Sequence, residues 1–191
     1  MKTKIIDTII ENEVVKVELD FFSEDDLIEL SRIYHSWVQL SNMIESRGGR
    51  RINIPELLSE AIFSYNFNAG RFKKSIRGNF NASFDCLKTD PITSRVQVKA
   101  CSVEYDLTSF GPNSVWDELY FVHFLPDNNY DGEYRIYKID NNLIYNHKVN
   151  KDQTMRDQQK QGRRPRFGIL KEIIIPNNIA PVIETVLPNL K

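Results

Sequence analysis

The chain has 191 residues, of which 41% are apolar and 27% are charged, and its formal net charge is −1. This length and composition suit one domain of ordinary size and exclude collagen-like, low-complexity and wholly disordered chains. The sequence has no long apolar run and no leader-like start, and its two cysteines are too few for a disulfide framework. These features predict a cytoplasmic protein with no membrane contact.

The near-neutral total conceals segments of strong and opposite charge. Residues 1–30 hold three basic and nine acidic residues, and residues 101–147 hold two and eight, so each segment has a net charge of −6. Residues 47–84 hold seven basic and two acidic residues, a net of +5, and residues 148–171 hold eight and two, a net of +6. Clustered basic residues are typical of proteins that bind a nucleic-acid backbone, although a solvated face or a charged loop gives the same pattern.

Two helices are predicted in the first third of the chain. Ser23 and the acids that follow it form a helix start, and apolar residues then recur at helical spacing over residues 24–46. A second helix is predicted from Pro55, because proline is favoured in the first turn. Residues 70–81 are basic with glycine and asparagine, which predicts a loop.

Strands are predicted in the middle of the chain, at residues 83–87, 95–103, 119–125 and 133–139. Helices first, then strands, then a polar basic segment predict a single domain of the α/β or α+β class. We divide it into a helical N-terminal part over residues 1–46, a core over residues 50–146 and a basic segment over residues 147–175.

Three features combine into a candidate catalytic site. Asp85 lies at or near the end of one short strand and Lys99 lies on the next, so the two side chains can face one another across the hairpin. Glu56 and Glu60 lie one turn apart on the second predicted helix. Carboxylates and a backbone carbonyl such as that of Val98 can hold Mg²⁺, and a lysine can orient water or neutralise charge at phosphorus. Each feature alone also fits an ordinary strand end, a solvent-facing lysine or an exposed helix acid.

The order of a helix glutamate, Ser-Phe-Asp at residues 83–85 and Gln-Val-Lys-Ala at residues 97–100 resembles the PD-(D/E)XK nuclease superfamily, and within it the small type II restriction endonucleases. Residues 50–60 look like their N-terminal helix start, and residues 117–122 with 134–139 look like their later strand pair. Residues 162–167 look like a late DNA-contacting segment. The resemblance points to the group that cuts short interrupted palindromes such as GC-N-GC.

The resemblance implies a restriction-endonuclease-like core, in which helices flank a mixed central β-sheet. It implies Mg²⁺-dependent hydrolysis of double-stranded DNA at a short palindromic site, leaving 5′-phosphate ends. A homodimer and a cognate DNA methyltransferase are expected, with the first helix as a candidate for the dimer interface or as a cover for the sheet. A structure-specific or repair nuclease of the same fold and a non-catalytic DNA-binding protein stay open as alternatives.

Asp85 corresponds to the first acid of the motif and Lys99 to its lysine. Gln97 stands at the second acidic position, where it offers a neutral carbonyl and no charge. Glu60, with Glu56 as the alternative, is therefore expected to supply the missing acid. No proline precedes Asp85, so the first letter of the motif is also absent.

The late basic segment is the candidate reader of DNA bases. Arginine contacts guanine in the major groove, and Arg163, Arg164 and Arg166, with Gln161 before them, surround a proline in this segment. A basic loop that contacts only the DNA backbone is the alternative. Six other residues are expected to contact phosphates, which would position the enzyme without specifying sequence: Arg50, Arg51, Arg71, Lys73, Lys74 and Arg77.

Overall fold

The computed structural model describes residues 1–103, 107–126 and 129–189. The strands are β1 (Lys2–Ile10), β2 (Glu13–Phe21), β3 (Gly70–Arg77), β4 (Cys86–Lys88), β5 (Ser94–Cys101), β6 (Thr108–Ser109), β7 (Glu118–His123), β8 (Glu133–Ile139), β9 (Arg166–Phe167) and β10 (Ile183–Val186). The helices are α1 (Glu24–Glu45), α2 (Glu56–Phe67), α3 (Asn141–Tyr145) and α4 (Met155–Lys160), and Leu170–Ile174 forms a π-helical turn.

Eight strands form one mixed sheet in the order β1-β2-β3-β4-β5-β7-β8-β10. Neighbouring strands are antiparallel except β5 and β7, which are parallel and are joined by a crossover that carries β6. Strands β6 and β9 pair with each other outside this sheet. The expected class, a mixed central sheet flanked by helices, is confirmed.

The two long helices predicted near residues 24–46 and after Pro55 are confirmed as α1 and α2. At the start of α1, the backbone N–H and the hydroxyl of Ser23 donate hydrogen bonds to the Asp26 carboxylate at 2.8 and 2.7 Å. Both helices pack on one face of the sheet in a core that includes Trp37, Phe63 and Val98. Fully burying one such large apolar side chain contributes roughly 1.5–3 kcal/mol, so this face fixes the position of α2 over β5.

The prediction that residues 1–46 form a helical N-terminal part is wrong for the first 21 residues. These residues contain the hairpin of β1 and β2. Its turn residues Glu11 and Asn12 have φ values of 54° and 66°, the left-handed conformations that two-residue hairpin turns use. The apolar residues that alternate from Val15 to Leu19 are fully buried, whereas their neighbours are polar. Alternation with period two was therefore the strand signal in this acidic stretch.

The loop expected over residues 70–81 is also wrong, since these residues begin with strand β3. Its lysines lie beside acidic residues of β2: the Nζ atoms of Lys73 and Lys74 lie 2.9 and 3.2 Å from the Glu18 carboxylate. The strand therefore tolerates its basic composition because the adjacent strand supplies opposite charges.

The strands predicted at residues 119–125 and 133–139 are confirmed as β7 and β8. Phe121 and Val122 are adjacent on β7, point to opposite faces and are both buried, so helices or turns cover both faces of the sheet here. A second core that includes Phe110 and Phe167 packs on the other face, with the π-helical turn. Within the described ranges, no helix is long and apolar enough to cross a membrane.

Candidate active site

A cavity of about 290 Å³ opens where α2, β5 and β6 meet. Its lining contains the predicted acids and lysine together with the backbone carbonyl candidate: Glu56, Glu60, Asp85, Val98 and Lys99. These residues come from α2, from the residue that precedes β4 and from β5. The fold therefore brings the predicted catalytic and metal-binding residues to one place, with Gln97 adjoining them.

Asp85 is held between two strands by its backbone. Its N–H donates to the carbonyl of Val96 at 2.9 Å, and its carbonyl accepts from the N–H of Phe72 at 2.9 Å. The Asp85 carboxylate accepts a hydrogen bond of 2.7 Å from the Val98 N–H. Burial raises the pKa of Asp85, and the positive charge of Lys99 opposes that rise. The carboxylate is thus fixed in orientation and desolvated at the cavity.

Gln97 acts on Asp85 directly. Its side chain is 3% exposed, and its amide nitrogen donates a hydrogen bond to the Asp85 carboxylate. The amide at the position where the resemblance expects a second acid is therefore a hydrogen-bond donor to Asp85 in this arrangement. A glutamate at the same place would instead bring a second negative charge against Asp85.

Glu60 lies on the buried face of α2 and pairs with an arginine from β3. The Arg71 Nε lies 2.5 Å from the Glu60 carboxylate, and Glu60 is 9% exposed. Burial raises the pKa of Glu60 to about 7, the negative charge of Asp85 adds to the rise, and Arg71 opposes it. Two carboxylates thus share the cavity, and an arginine offsets part of their charge.

Glu56 and Lys99 stand at the more open parts of the cavity. Glu56 is exposed one turn before Glu60, and its charge raises the pKa of both Asp85 and Glu60. The Lys99 Nζ lies 5.9 Å from the centre of the Phe110 ring, which belongs to the second core. The lysine is half-buried and lines the cavity, and its positive charge opposes the rise in the pKa of Asp85.

The oxygen atoms that the cavity offers can be compared with the ligands that Mg²⁺ requires. No group of three or more His, Cys, Asp or Glu side chains in the described part of the chain is preassembled for a metal ion. The cavity nevertheless offers hard oxygen atoms, which Mg²⁺ prefers, from the Asp85 and Glu60 carboxylates and from the Val98 backbone. Mg²⁺ keeps several waters and uses few carboxylates at substrate phosphates, so this small set fits it.

The predicted phosphate contacts in the first basic segment have internal partners to different degrees. Arg71 pairs with Glu60, as described, and Lys73 and Lys74 pair with Glu18 but are 45% and 62% exposed at their side chains. Arg50 and Arg77 are exposed. Lys73 and Lys74 therefore keep access to solvent, whereas the Arg71 guanidinium is committed to the cavity.

Arg51 lies in the core of the α1–α2 connection. Its side chain is 8% exposed, its guanidinium lies 3.0 Å from Glu45 and donates to the Asn42 side chain at 2.6 Å. The same group lies 3.9 Å from the centre of the Tyr130 ring. Because these contacts bury the Arg51 charge against the protein in this conformation, they favour a structural role for Arg51 over the expected contact with DNA phosphates.

The late basic segment is ordered and exposed. Arg163, Arg164 and Arg166 are exposed, and their side chains form no ion pair with the residues that the structure describes. The segment is tied to the cavity wall, since the Pro165 carbonyl accepts from the Phe110 N–H at 3.1 Å and β9 pairs with β6. Gln161 is exposed too, and its side-chain oxygen accepts from Gln153 at 2.9 Å.

The third wall of the cavity went unnoticed in the sequence. Leu107, Thr108 and Ser109 line it from β6 and the residue before it. This stretch has neither a charge nor a motif that distinguishes it from any other loop residue. Its position depends on pairing with β9, almost 60 residues later, which no local pattern reveals.

Comparison with known proteins supports the expected family. The family model for the Bsp6I restriction endonuclease matches residues 22–176, which include every candidate site residue. The type II restriction enzyme Bsp6I from Bacillus sp. (strain RFL6) is 36% identical over 163 residues, which are 84% of this chain and 87% of that enzyme. No solved structure matches the chain. The chain belongs to the Bsp6I family of type II restriction endonucleases, which cleave DNA at specific sequences.

Proposed function

We propose that the chain hydrolyses double-stranded DNA in a Mg²⁺-dependent reaction at a short palindrome, leaving 5′-phosphate and 3′-hydroxyl ends. One observation carries this proposal: Asp85, Glu60 and Lys99, which are distant in sequence, line one cavity. The resemblance to the PD-(D/E)XK superfamily rests on the same residues. A GC-N-GC site is the first target to test.

Asp85 and the Val98 carbonyl, with Glu60 or Glu56, would hold the Mg²⁺ ion. When bound, the ion polarises the scissile phosphate and lowers the pKa of water. Gln97 and the Val98 N–H keep the Asp85 carboxylate in one orientation, so its free oxygen stays available. The Lys99 ammonium, opposite Asp85, orients the attacking water or neutralises charge that develops at phosphorus.

The Glu60–Arg71 pair gives Glu60 a secondary role in this scheme. Burial raises the pKa of Glu60 to about 7, and a bound Mg²⁺ ion would favour its charged form. Arg71 stabilises the charged form, so Arg71 acts on the cavity through Glu60 rather than through DNA. Glu56 is exposed at the mouth of the cavity and is the alternative ligand.

Recognition is assigned to the late basic segment. Arg163, Arg164 and Arg166 project from a short ordered stretch between α4 and β9, and arginine is the commonest reader of guanine in the major groove. Gln161 lies beside them and can contact adenine or a phosphate. Four exposed basic residues serve as phosphate contacts: Arg50, Lys73, Lys74 and Arg77.

A homodimer would place one subunit on each half of a palindrome. The outer face of α1 carries exposed Ile33, Leu40 and Met43 at spacings of seven and three residues, between Glu29 and Arg47. In two antiparallel copies of α1, Glu29 would lie near the partner's Arg47, and Ile33 near the partner's Met43. The stripe is thus complementary to itself in charge.

Sedimentation velocity tests this dimer. Leu40→Glu and Met43→Glu should each shift the protein toward monomer, because a buried unpaired carboxylate opposes association. Gln39→Glu, on an exposed part of the same helix outside the stripe, should leave the dimer intact. A dimer that survives both stripe variants would place the interface elsewhere.

Two further expectations follow from the activity. An enzyme that cuts specific DNA sites endangers its host, so a cognate DNA methyltransferase that protects those sites should be encoded nearby. Its substrate and the two buried thiols, Cys86 and Cys101, support a cytoplasmic location.

Digestion of plasmid and phage DNA tests the proposal. With Mg²⁺ we expect discrete fragments that carry 5′-phosphates, and no fragments when the metal is chelated. Asp85→Ala and Lys99→Ala should abolish cutting and leave DNA binding by gel shift largely intact. Cutting of branched DNA without fixed sites would favour a structure-specific nuclease, and binding without cutting would favour a non-catalytic protein. Near wild-type cutting by either variant would show that the active site lies elsewhere.

A further inference from the structure

Two hydroxyl groups in the β6 wall of the cavity have no hydrogen-bond partner. Thr108 Oγ1 and Ser109 Oγ are both buried, and neither bonds to any residue in the described ranges. Thr108 is 7% exposed and lines the cavity together with Asp85 and Lys99. Because an unsatisfied buried hydroxyl destabilises a fold, its presence in a polar cavity needs a cause.

The position of Thr108 is set by buried packing and not by a free loop. Thr108 pairs with Phe167 in the two-stranded sheet of β6 and β9. Phe110, two residues later, is 1% exposed, and its ring stacks on Phe167 with centroids 5.4 Å apart. The Thr108 hydroxyl is therefore held in place before any substrate enters.

The direction of the Thr108 side chain follows from its strand. Side chains alternate along an extended strand, so Thr108 lies on the same side as Phe110, and Ser109 lies on the opposite side. The Lys99 Nζ lies 5.9 Å from the centre of the Phe110 ring. Thr108 and Lys99 line the same cavity.

The acids of the cavity are already bonded to other donors. The Asp85 carboxylate accepts from Val98 and Gln97, and the Glu60 carboxylate pairs with Arg71. Thr108 Oγ1 bonds to neither carboxylate, so a group that enters the cavity can supply its acceptor. In an endonuclease the group that enters the active site with several acceptor oxygens is the scissile phosphate.

We propose that the Thr108 hydroxyl donates a hydrogen bond to a non-bridging oxygen of the scissile phosphate. This inference rests on the proposed function, since it takes the cavity as the active site. A donor fixed in advance stabilises the charge that develops on phosphate oxygens during the reaction. Thr108 would then be a substrate contact that the acid–lysine motif does not contain.

Two substitutions at Thr108 test this contact. Thr108→Val keeps the shape and removes the hydroxyl, and single-turnover cleavage at saturating enzyme should slow roughly 10- to 100-fold. Thr108→Ser keeps the hydroxyl and should cut close to the wild-type rate. DNA affinity without divalent metal should not change in either variant. Thr185→Val, on exposed β10, is the matched control and should cut like wild type.

Thermal unfolding separates this role from a structural one. Thr108→Val should unfold at the wild-type midpoint or above it, because it removes an unsatisfied buried hydroxyl. A lower midpoint, with no recovery of activity in Thr108→Ser, would overturn the inference. Wild-type cutting by Thr108→Val, with Asp85→Ala and Lys99→Ala inactive, would also overturn it and leave the proposed site standing. Cutting by Asp85→Ala or Lys99→Ala would instead contradict the proposed function.

Discussion

Residues 47–84 and 148–171 have similar net charges of +5 and +6, but their side chains have different surroundings. In the first segment Arg51 and Arg71 are paired with glutamates inside the fold. In the second, Arg163 and Arg166 are exposed and project from an ordered stretch. Charge per segment therefore predicted two nucleic-acid surfaces, whereas the contacts divide the charge into a part that holds the fold together and a part that stays available for DNA.

The difference shows how acidic and basic segments combine in this fold. The acidic strand β2 lies beside the basic strand β3, and Glu18 serves both Lys73 and Lys74. Opposite charges on neighbouring strands contribute a few tenths to 1 kcal/mol per pair and favour one register. Arg163, Arg164 and Arg166 form no ion pair within the described residues, so their charges stay available to a ligand.

The largest expected effect concerns the late segment. Arg163→Ala and Arg166→Ala should each slow cleavage of the specific site roughly 5- to 150-fold, since a bidentate guanine contact contributes about 1–3 kcal/mol. Cleavage of a plasmid with one site measures the loss, and binding to non-specific DNA is the control, which should change much less. Equal losses on both DNAs would mean that these arginines contact only the backbone.

Arg51 should matter for stability and not for DNA. Arg51→Ala should lower the free energy of unfolding by about 1–3 kcal/mol, because it removes the partner of Glu45 and the group stacked on Tyr130. Urea unfolding measures the change. Arg50→Ala, at the adjacent exposed position, should stay within about 0.5 kcal/mol of wild type. If the Arg51→Ala protein were as stable as wild type but bound DNA more weakly, Arg51 would belong with the residues that contact DNA and not with those that hold the fold together.

Lys74 should contribute salt-dependent affinity without specificity. Lys74→Gln should reduce the slope of log affinity against log salt by about 0.9, and by the same amount on specific and non-specific DNA. Titrations at several salt concentrations measure this slope. An unchanged slope would mean that Glu18 keeps the Lys74 charge within the protein even when DNA is bound.

The smallest expected effect concerns Glu118, an acid with purely internal partners. Burial raises its pKa, but hydrogen bonds from Lys138, Ser94, Lys88 and Tyr120 outweigh burial and lower the pKa to about 2. The folded value lies below the usual one, so this stabilisation is present above pH ~4.5 and is lost as the pH falls toward about 2.

Glu118→Gln tests that window. After allowance for solvent screening, the wild type should lose roughly 1 kcal/mol more than the variant between about pH 5 and pH 2.5. Urea unfolding over this range provides the comparison. Identical pH profiles of the two proteins would show that the network around Glu118 does not depend on its charge.

The residues that line the cavity were easier to predict from the sequence than the strands of the sheet. Asp85 directly precedes β4 and Lys99 lies on β5, which follows and pairs with β4, so their spacing was enough to predict that they line one cavity. To predict that Glu60 also lines the cavity, it was enough to place it on a helix whose start is clear in the sequence. Local patterns therefore identified the cavity's acids and its lysine.

Features that depend on distant pairing escaped prediction. The acidic composition of β2 and the basic composition of β3 concealed both strands, because each is stabilised by the other across more than 50 residues. Arg71 was predicted as a phosphate contact, and its pairing with Glu60 on a separate element gave no local signal. Thr108 gave no signal at all, since β9 positions it from late in the chain.

The central claim is tested most directly by measuring binding and cleavage of one cognate duplex side by side for three variants. These are Lys99→Ala, Arg163→Ala combined with Arg166→Ala, and Arg77→Ala. The claim is that residues of the Asp85–Lys99 cavity hydrolyse the DNA, while the late basic segment recognises the base sequence. We expect Lys99→Ala to bind the site and not cut it, the double arginine variant to lose specific binding and cutting together, and Arg77→Ala to keep specificity with weaker overall affinity. Cutting by Lys99→Ala, or specific cutting by the double arginine variant at the wild-type rate, would contradict the account.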